Sequence, residues 1–184
     1  MRMTLWRGLA ALIVGMGGMP LAAQDAKPMP GAMEMPMPAC AATKPAEGAL
    51  APWNTQADMQ AQGDPAKLAG ASLRVGQAVR LALLPTSDVH YPVRPEKPGG
   101  SVSHGGLVGV WVAKAGKYRI ALGSGAWIDL VGNGKPVISI AHGHGPDCTG
   151  IRKMVDFDLK PGRYTLQISA NANAQTSLLI VPLD

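Results

Sequence analysis

The chain has 184 residues, of which 47% are hydrophobic, 16% are charged and only 4% are aromatic. Its formal net charge of +5 includes Arg2 and Arg7 in the apolar N-terminal segment, so the rest of the chain carries about +3, spread evenly. A charge this small and even excludes the polybasic surfaces typical of nucleic-acid-binding and membrane-surface proteins.

The first 23 residues predict a secretory signal peptide. Arg2 and Arg7 give it a positive start, an apolar run follows from Gly8 to Met19, and Leu21-Ala22-Ala23 matches the small-residue cleavage pattern. The apolar run is shorter than a transmembrane helix requires. The predicted mature protein therefore begins at Gln24, has 184 − 23 = 161 residues, has no membrane span and is periplasmic or secreted.

The next two segments lack a clear structural period. Residues 24–52 are dominated by proline, alanine and methionine, which predicts a disordered tether. Residues 53–71 are predicted to be a linker or a short helix, interrupted by Gly63 and Pro65.

From residue 72 to residue 184, short apolar runs alternate with turn residues, as expected of an all-β domain. About eight runs at spacings near ten residues predict a single β-sandwich or jelly-roll-like domain. Asn133-Gly134 favours a tight hairpin. Two similar segments, KAGKYRIAL at 114–122 and KPGRYTLQI at 160–168, predict corners in which a tyrosine ring enters the core and its hydroxyl caps a loop.

The two cysteines, Cys40 and Cys148, are predicted to form a disulfide, because an even number of cysteines in an exported protein favours pairing. This disulfide would join the predicted tether to the segment AHGHGPDCTG at 141–150. It would close a loop of more than one hundred residues, for which chain-entropy models give roughly 4–5 kcal/mol at most.

The segment 141–150 is the main candidate for chemistry. If residues 137–142 form a strand, Ile138, Ile140 and His142 share one face and His144 continues it. Two imidazoles at positions i and i+2 can converge on one copper or zinc ion. Asp147 would add a carboxylate or orient a histidine, and His104 or His90 would be a third imidazole. The alternative is a solvated turn shaped by glycine and proline.

A cluster of methionines precedes Cys40. Met29, Met33, Met35 and Met37 alternate with other residues, and soft thioethers bind Cu(I). A Cys40–Cys148 disulfide would place Met33, Met35 and Met37 within a few residues of His144. The sequence therefore predicts a mixed Met/His metal site. The alternative is that the methionines reflect only the general richness of this chain in methionine.

Other segments offer weaker candidates. The proline-rich loop 91–101 carries Arg94, Glu96 and Lys97, which would bind an anion or a partner protein. The alternative is that this loop is only a rigid connection between strands. Arg152, beside the histidine segment, would attract anions or solvate a strand. Trp111 and Trp127 would form a sugar-stacking platform unless they pack into the core.

From about Tyr91 to Asn171, and in most detail over HGHGPDCTGIRKMVDF, the sequence resembles a family of small exported proteobacterial proteins without an established activity. Members are similar in carrying a short Met- or His-bearing tether after the signal, and some are labelled homogentisate 1,2-dioxygenase. The label implies a non-haem Fe(II) site of two histidines and one carboxylate, here His142, His144 and Asp147.

These observations predict a periplasmic metal-binding β-sandwich protein that handles copper or zinc. The predicted partners are the metal ion and another periplasmic protein. The alternatives are an Fe(II) dioxygenase-like enzyme that uses the same segment, and a carbohydrate-binding or structural module without metal.

Overall fold

The computed structural model of the protein describes residues 40–183. In this range the chain forms twelve strands and three short 3-10 helices, arranged as two six-stranded sheets. The predicted all-β sandwich is confirmed. The number of strands exceeds the predicted eight, in part because β2 (Ser72–Leu73), β4 (Leu84–Pro85) and β8 (Lys135–Val137) are only two or three residues long.

The remaining strands divide between the two sheets. Sheet A contains β1 (Gln56–Gln60), β3 (Ala78–Ala82), β6 (Gly116–Leu122), β9 (Ser139–Gly143), β10 (Lys153–Leu159) and β12 (Gln175–Leu183). Sheet B contains β5 (His104–Val112), β7 (Trp127–Gly132), β11 (Gly162–Asn171) and the three short strands. The 3-10 helices are η1 (Gly48–Asn54), η2 (Pro65–Gly70) and η3 (Thr86–Asp88).

The strand order in sheet A is β1-β3-β12-β6-β10-β9, and the order in sheet B is β2-β5-β11-β7-β8, with β4 also on β5. Only the β1–β3 and β2–β5 pairs are parallel. Alternate residues of the long strands face the space between the sheets and form the main core. Its fully buried members include Leu81, Ile120, Leu122, Leu166, Ile168, Leu178 and Ile180.

The hairpin between β7 and β8 has the predicted two-residue turn. Asn133 and Gly134 take φ values of 50° and 73°, the left-handed region that this turn requires and that asparagine and glycine tolerate best. The predicted tight hairpin at Asn133-Gly134 is confirmed.

The two similar segments form matching corners, as predicted. The Tyr118 hydroxyl donates to the carbonyl oxygen of Lys114 at 2.8 Å, and the Tyr164 hydroxyl donates to that of Lys160 at 2.9 Å. Tyr118 is buried in the core and Tyr164 packs against it. In both corners the ring anchors a strand while the hydroxyl closes the preceding turn.

The predicted tether was wrong for its last part, residues 40–52. Ala46, Leu50 and Trp53 are buried against the outer face of sheet A, where they contact Ala121 and Leu179 among others. Their spacing of four and three residues is that of one helical face, and η1 brings the last two onto the sheet. Sheet A is therefore covered on both faces, and the folded body starts well before residue 72.

Residues 53–71, predicted as a linker or short helix, also belong to the folded body. β1 pairs with β3 over Gln56–Gln60. Pro65 does not interrupt the following helix but begins it, and the Asp64 carboxylate accepts from the backbone N–H of Ala66 at 2.9 Å. Proline is favoured at the first helical position because its missing N–H would have no helical partner there.

Candidate functional site

The segment 141–150 is fastened to the start of the folded chain. The predicted disulfide joins Cys40 to Cys148. The backbone N–H of Lys44 donates to the carbonyl oxygen of Cys148 at 2.8 Å, and the Trp53 indole N–H donates to the carbonyl oxygen of Thr149 at 3.0 Å. The turn is therefore held by one covalent and two hydrogen-bonded links.

The turn is also closed by its own side chains. The Thr149 hydroxyl donates to the carbonyl oxygen of Pro146 at 2.7 Å and accepts from the backbone N–H of Ile151 at 3.3 Å. At Gly145 a β-carbon would overlap Ile151, so the chain approaches itself too closely there for any side chain. These contacts give the adjoining histidines a fixed base.

His144 is held by one ring nitrogen. Its Nδ1 lies 3.1 Å from the carbonyl oxygen of Arg152, and the side chain is exposed. Because a carbonyl oxygen only accepts hydrogen bonds, the neutral ring carries its proton on Nδ1 and leaves the lone pair on Nε2. Metal-binding histidines are oriented by this kind of bond, in which the other ring nitrogen binds the ion.

His142 lies on β9, the edge strand of sheet A, and is exposed. It pairs with Val155 of β10. The predicted common face for Ile138, Ile140 and His142 was wrong for two reasons. Ile138 lies between β8 and β9, where the chain passes from sheet B to sheet A, and the register shifts between Ser139 and Ala141, so that Ile140 is the additional residue of a bulge.

The other predicted protein ligands do not assemble around the two imidazoles. Within residues 40–183, no group of three or more His, Cys, Asp or Glu side chains is placed to hold a metal ion. This corrects the triad of His142, His144 and Asp147, and the use of His104 or His90 as a third ligand. Asp147 is exposed, whereas His104 begins β5 in sheet B and has a buried Nδ1 for which residues 40–183 provide no hydrogen-bond partner.

The outcome is definite for Cys148 but not for the methionines. Cys148 is disulfide-bonded and is therefore no thiolate ligand. Met33, Met35 and Met37 lie outside the described residues, as do the signal peptide and the first part of the tether, so these stay predictions.

The loop 91–101 is fixed to the outer face of sheet B. The Gln167 side chain of β11 accepts from the backbone N–H of Val93 at 3.1 Å and donates to its carbonyl oxygen at 3.0 Å. The Ser169 hydroxyl donates to the carbonyl oxygen of Lys97 at 2.8 Å. The loop is thus an anchored connection between strands, with Arg94 and Glu96 exposed on it.

Below this loop lies a cluster of charged groups around Trp127. The ammonium nitrogens of Lys97 and Lys153 each lie 4.9 Å from the centre of its ring, and the indole N–H donates to Asp129 Oδ1 at 3.0 Å. Asp129 Oδ2 is buried without a hydrogen-bond partner among the described residues. Two ammonium groups lie over the ring and the side chain is half-buried, so Trp127 fastens this loop and is less accessible to a sugar than an exposed indole would be.

Burial controls the protonation of this cluster. It raises the pKa of Asp129 above the ordinary value of 3.8, and the charge of Glu96 acts in the same direction. Burial, and then the charge of Asp129, raise the pKa of Tyr91 to about 12. Burial and the neighbouring Lys97 lower the pKa of Lys153.

A groove of about 580 Å³ runs beside the fastened turn. It is lined by neutral polar residues such as Gln56 and Ser177, by Trp53, and by the cations Lys44 and Arg80. Sequence reasoning missed it because its lining comes from segments up to about 130 residues apart, a relationship that no linear pattern records. Two polar side chains of its lining are paired with each other, since the Ser177 hydroxyl donates to Gln56 Oε1 at 2.7 Å.

Within residues 40–183 no helix has the length and apolarity needed to cross a bilayer. No family model matches the chain, and no curated protein matches it. Among solved structures, the chain is similar to the pre-peptidase C-terminal domain of collagenase from Bacillus anthracis. The identity is 16% and the TM-score 0.37, and the match covers 60% of this chain and 92% of that one. Neither a family nor an activity follows from these comparisons.

Proposed function

We propose that the protein is an exported metal-binding protein in which His142 and His144 bind copper or zinc. The observation that carries the proposal is the contact between His144 Nδ1 and the Arg152 carbonyl oxygen at 3.1 Å. It leaves the lone pair of the neutral ring on Nε2 of an exposed side chain, which is the state in which imidazole binds a metal.

The choice of metal follows from the chemistry of the available ligands. Neutral imidazole nitrogens suit copper and zinc, whereas a non-haem iron site needs a carboxylate beside its two histidines. Two imidazoles leave coordination positions for further ligands. We propose that the thioethers of Met33, Met35 and Met37, which precede Cys40 in the chain by three to seven residues, supply them to Cu(I).

The disulfide supports the proposed compartment. Cys40–Cys148 is a linkage that persists in oxidising compartments such as the periplasm. There the protein would take part in metal handling or resistance, passing the ion to or from another periplasmic protein.

Calorimetry of the purified protein tests the imidazole site. Replacing His142 and His144 together by alanine is expected to abolish uptake of Cu(II) or Zn(II). His90→Ala is the matched control, because His90 is exposed at a different loop and its loss should leave uptake unchanged. Equal metal uptake by the parent and the double variant would refute the proposal.

A second variant separates the thioethers from the imidazoles. Replacing Met33, Met35 and Met37 by leucine is expected to weaken Cu(I) binding and to leave Zn(II) binding unchanged, because zinc does not favour thioethers. If Cu(I) affinity is also unchanged, the methionines are not ligands. Metal analysis of untagged protein from its native compartment then identifies the ion.

A further inference from the structure

Trp111 is the most exposed aromatic side chain on the β-sandwich, with 55% of its surface accessible. It lies on β5 between Val110 and Val112, which are both buried, so it faces outward from sheet B. Arg163 of β11 is its cross-strand neighbour, and the guanidinium carbon lies 5.8 Å from the ring centre. Of the two alternatives that the sequence left open for Trp111, packing into the core therefore does not apply.

Two grooves meet at this ring. One has a volume of about 360 Å³ and contains Arg163, Tyr164 and the Asn133-Gly134 turn in its lining. The other has a volume of about 500 Å³ and runs past Arg74, Lys114 and Lys117. Trp111 and Ser72 line both grooves, so the two grooves adjoin at these residues, and we name them together the Trp111 groove.

The Trp111 groove is positively charged. Arg74, Lys114, Lys117 and Arg163 are all exposed, and neither Asp nor Glu contributes to the lining of either half. None of the four cations forms an ion pair within the described part of the chain, although Asp158 lies opposite Lys117 in the register of sheet A. A surface with this charge is complementary to an anionic ligand.

The groove is also apolar along one half. Val75, Ala113, Pro182 and Leu183 line the part that carries the lysines. A suitable ligand must therefore offer negative charges together with flat carbon faces, and it must be long enough to pass over Trp111. A uronic acid has both features, because its pyranose ring presents a rigid C–H face to an indole while its carboxylate reaches the cations.

We propose that the Trp111 groove binds an extended anionic polysaccharide built of uronic acid residues. Trp111 stacks against a sugar ring at the centre of the groove, and the four cations contact carboxylates on either side. An acidic peptide matches the charge, but glutamate and aspartate side chains are flexible and lack a rigid face to stack on the indole. The site is separate from the two imidazoles and does not depend on the metal proposal.

Calorimetry of the purified protein with a mannuronate hexamer tests the inference, with cellohexaose and hexaglutamate as comparison ligands. We expect the mannuronate hexamer to bind most tightly, with an affinity that falls as salt is raised. Trp111→Ala is expected to lower that affinity about tenfold or more. Its Tm should match that of the parent, since the side chain is exposed.

Charge is tested by a matched pair of double variants. Replacing Lys114 and Lys117 by glutamine should weaken binding of the hexamer and flatten its salt dependence. Replacing Lys44 and Arg94 by glutamine removes the same charge outside the Trp111 groove and should leave affinity nearly unchanged. The inference is overturned if the mannuronate hexamer does not bind, if either comparison ligand binds as tightly, or if folded Trp111→Ala binds like the parent.

Discussion

The indole nitrogen of Trp53 and the carbonyl oxygen of Thr149 are 3.0 Å apart, although 96 residues separate them in the chain. Both residues are buried, so this bond joins the N-terminal segment to the base of the histidine turn away from solvent. Trp53→Phe keeps an aromatic ring but leaves the Thr149 carbonyl without its donor. We expect the free energy of unfolding to fall by about 2 kcal/mol.

Urea denaturation measures this change. Trp111→Phe is the control, because the Trp111 ring is exposed and lacks a comparable buried bond; it should alter stability by no more than about 0.5 kcal/mol. Equal effects of the two substitutions would mean that the bond contributes nothing to holding the N-terminal segment.

Replacing Cys40 and Cys148 together by alanine should reduce stability in non-reducing buffer by at most about 4–5 kcal/mol. The two cysteines are 108 residues apart, and cross-linking a long loop restricts the unfolded chain strongly. In reducing buffer the parent and the variant should converge. Unfolding midpoints that already coincide without reductant would contradict this expectation.

Tyr118→Phe and Tyr164→Phe each remove one corner hydroxyl and keep the ring. We expect each substitution to lower the free energy of unfolding by about 1 kcal/mol. Tyr118 should show the larger change, because it is buried whereas Tyr164 is only half-buried. Thermal denaturation followed by circular dichroism is sufficient to measure both, and a parent-like Tm for both variants would show that the corners do not need their hydroxyls.

Asp129→Asn should change how stability depends on pH. The pKa of Asp129 is higher in the folded protein than in the unfolded chain, chiefly because burial disfavours the charged carboxylate. Its contribution to stability is therefore complete below the unfolded value near 3.8 and is lost as pH rises through the raised folded pKa. The Asp129→Asn variant has no carboxyl group at this position, so its stability does not fall with rising pH for this reason.

Urea midpoints measured from about pH 3.5 to pH 7 test this expectation. The stability of Asp129→Asn relative to the parent should increase with pH across that range. Asp88→Asn, at an exposed aspartate, is the control and should show a smaller trend. A constant difference between Asp129→Asn and the parent would mean that Asp129 titrates alike in the folded and unfolded protein.

The sandwich could be predicted because its main signals are local. The alternating apolar residues of the long strands, the Asn133-Gly134 turn and the two tyrosine corners each depend on residues a few positions apart. The disulfide was predictable from the even number of cysteines together with the predicted export. These features show that turn chemistry and side-chain alternation carry most of the information about this fold.

What could not be predicted depends on contacts between distant segments. Trp53 is buried only because sheet A offers it an outer face, and the spacing of Ala46, Leu50 and Trp53 was the one available signal. The chain passes between the sheets at Ile138 and forms a bulge at Ile140. Neither residue therefore keeps the regular alternation that was predicted to align it with His142. The Trp111 groove likewise combines residues from several strands, so no linear motif indicates it.

β12 is the last strand in chain order, yet it lies in the middle of sheet A, hydrogen-bonded to β3 on one side and to β6 on the other. Because synthesis runs from the N-terminus, β12 is made after all its neighbours. The two halves of sheet A therefore lack the strand that pairs with both of them until residues 175–183 have been synthesised. Completion of sheet A therefore depends on the insertion of β12 between β3 and β6.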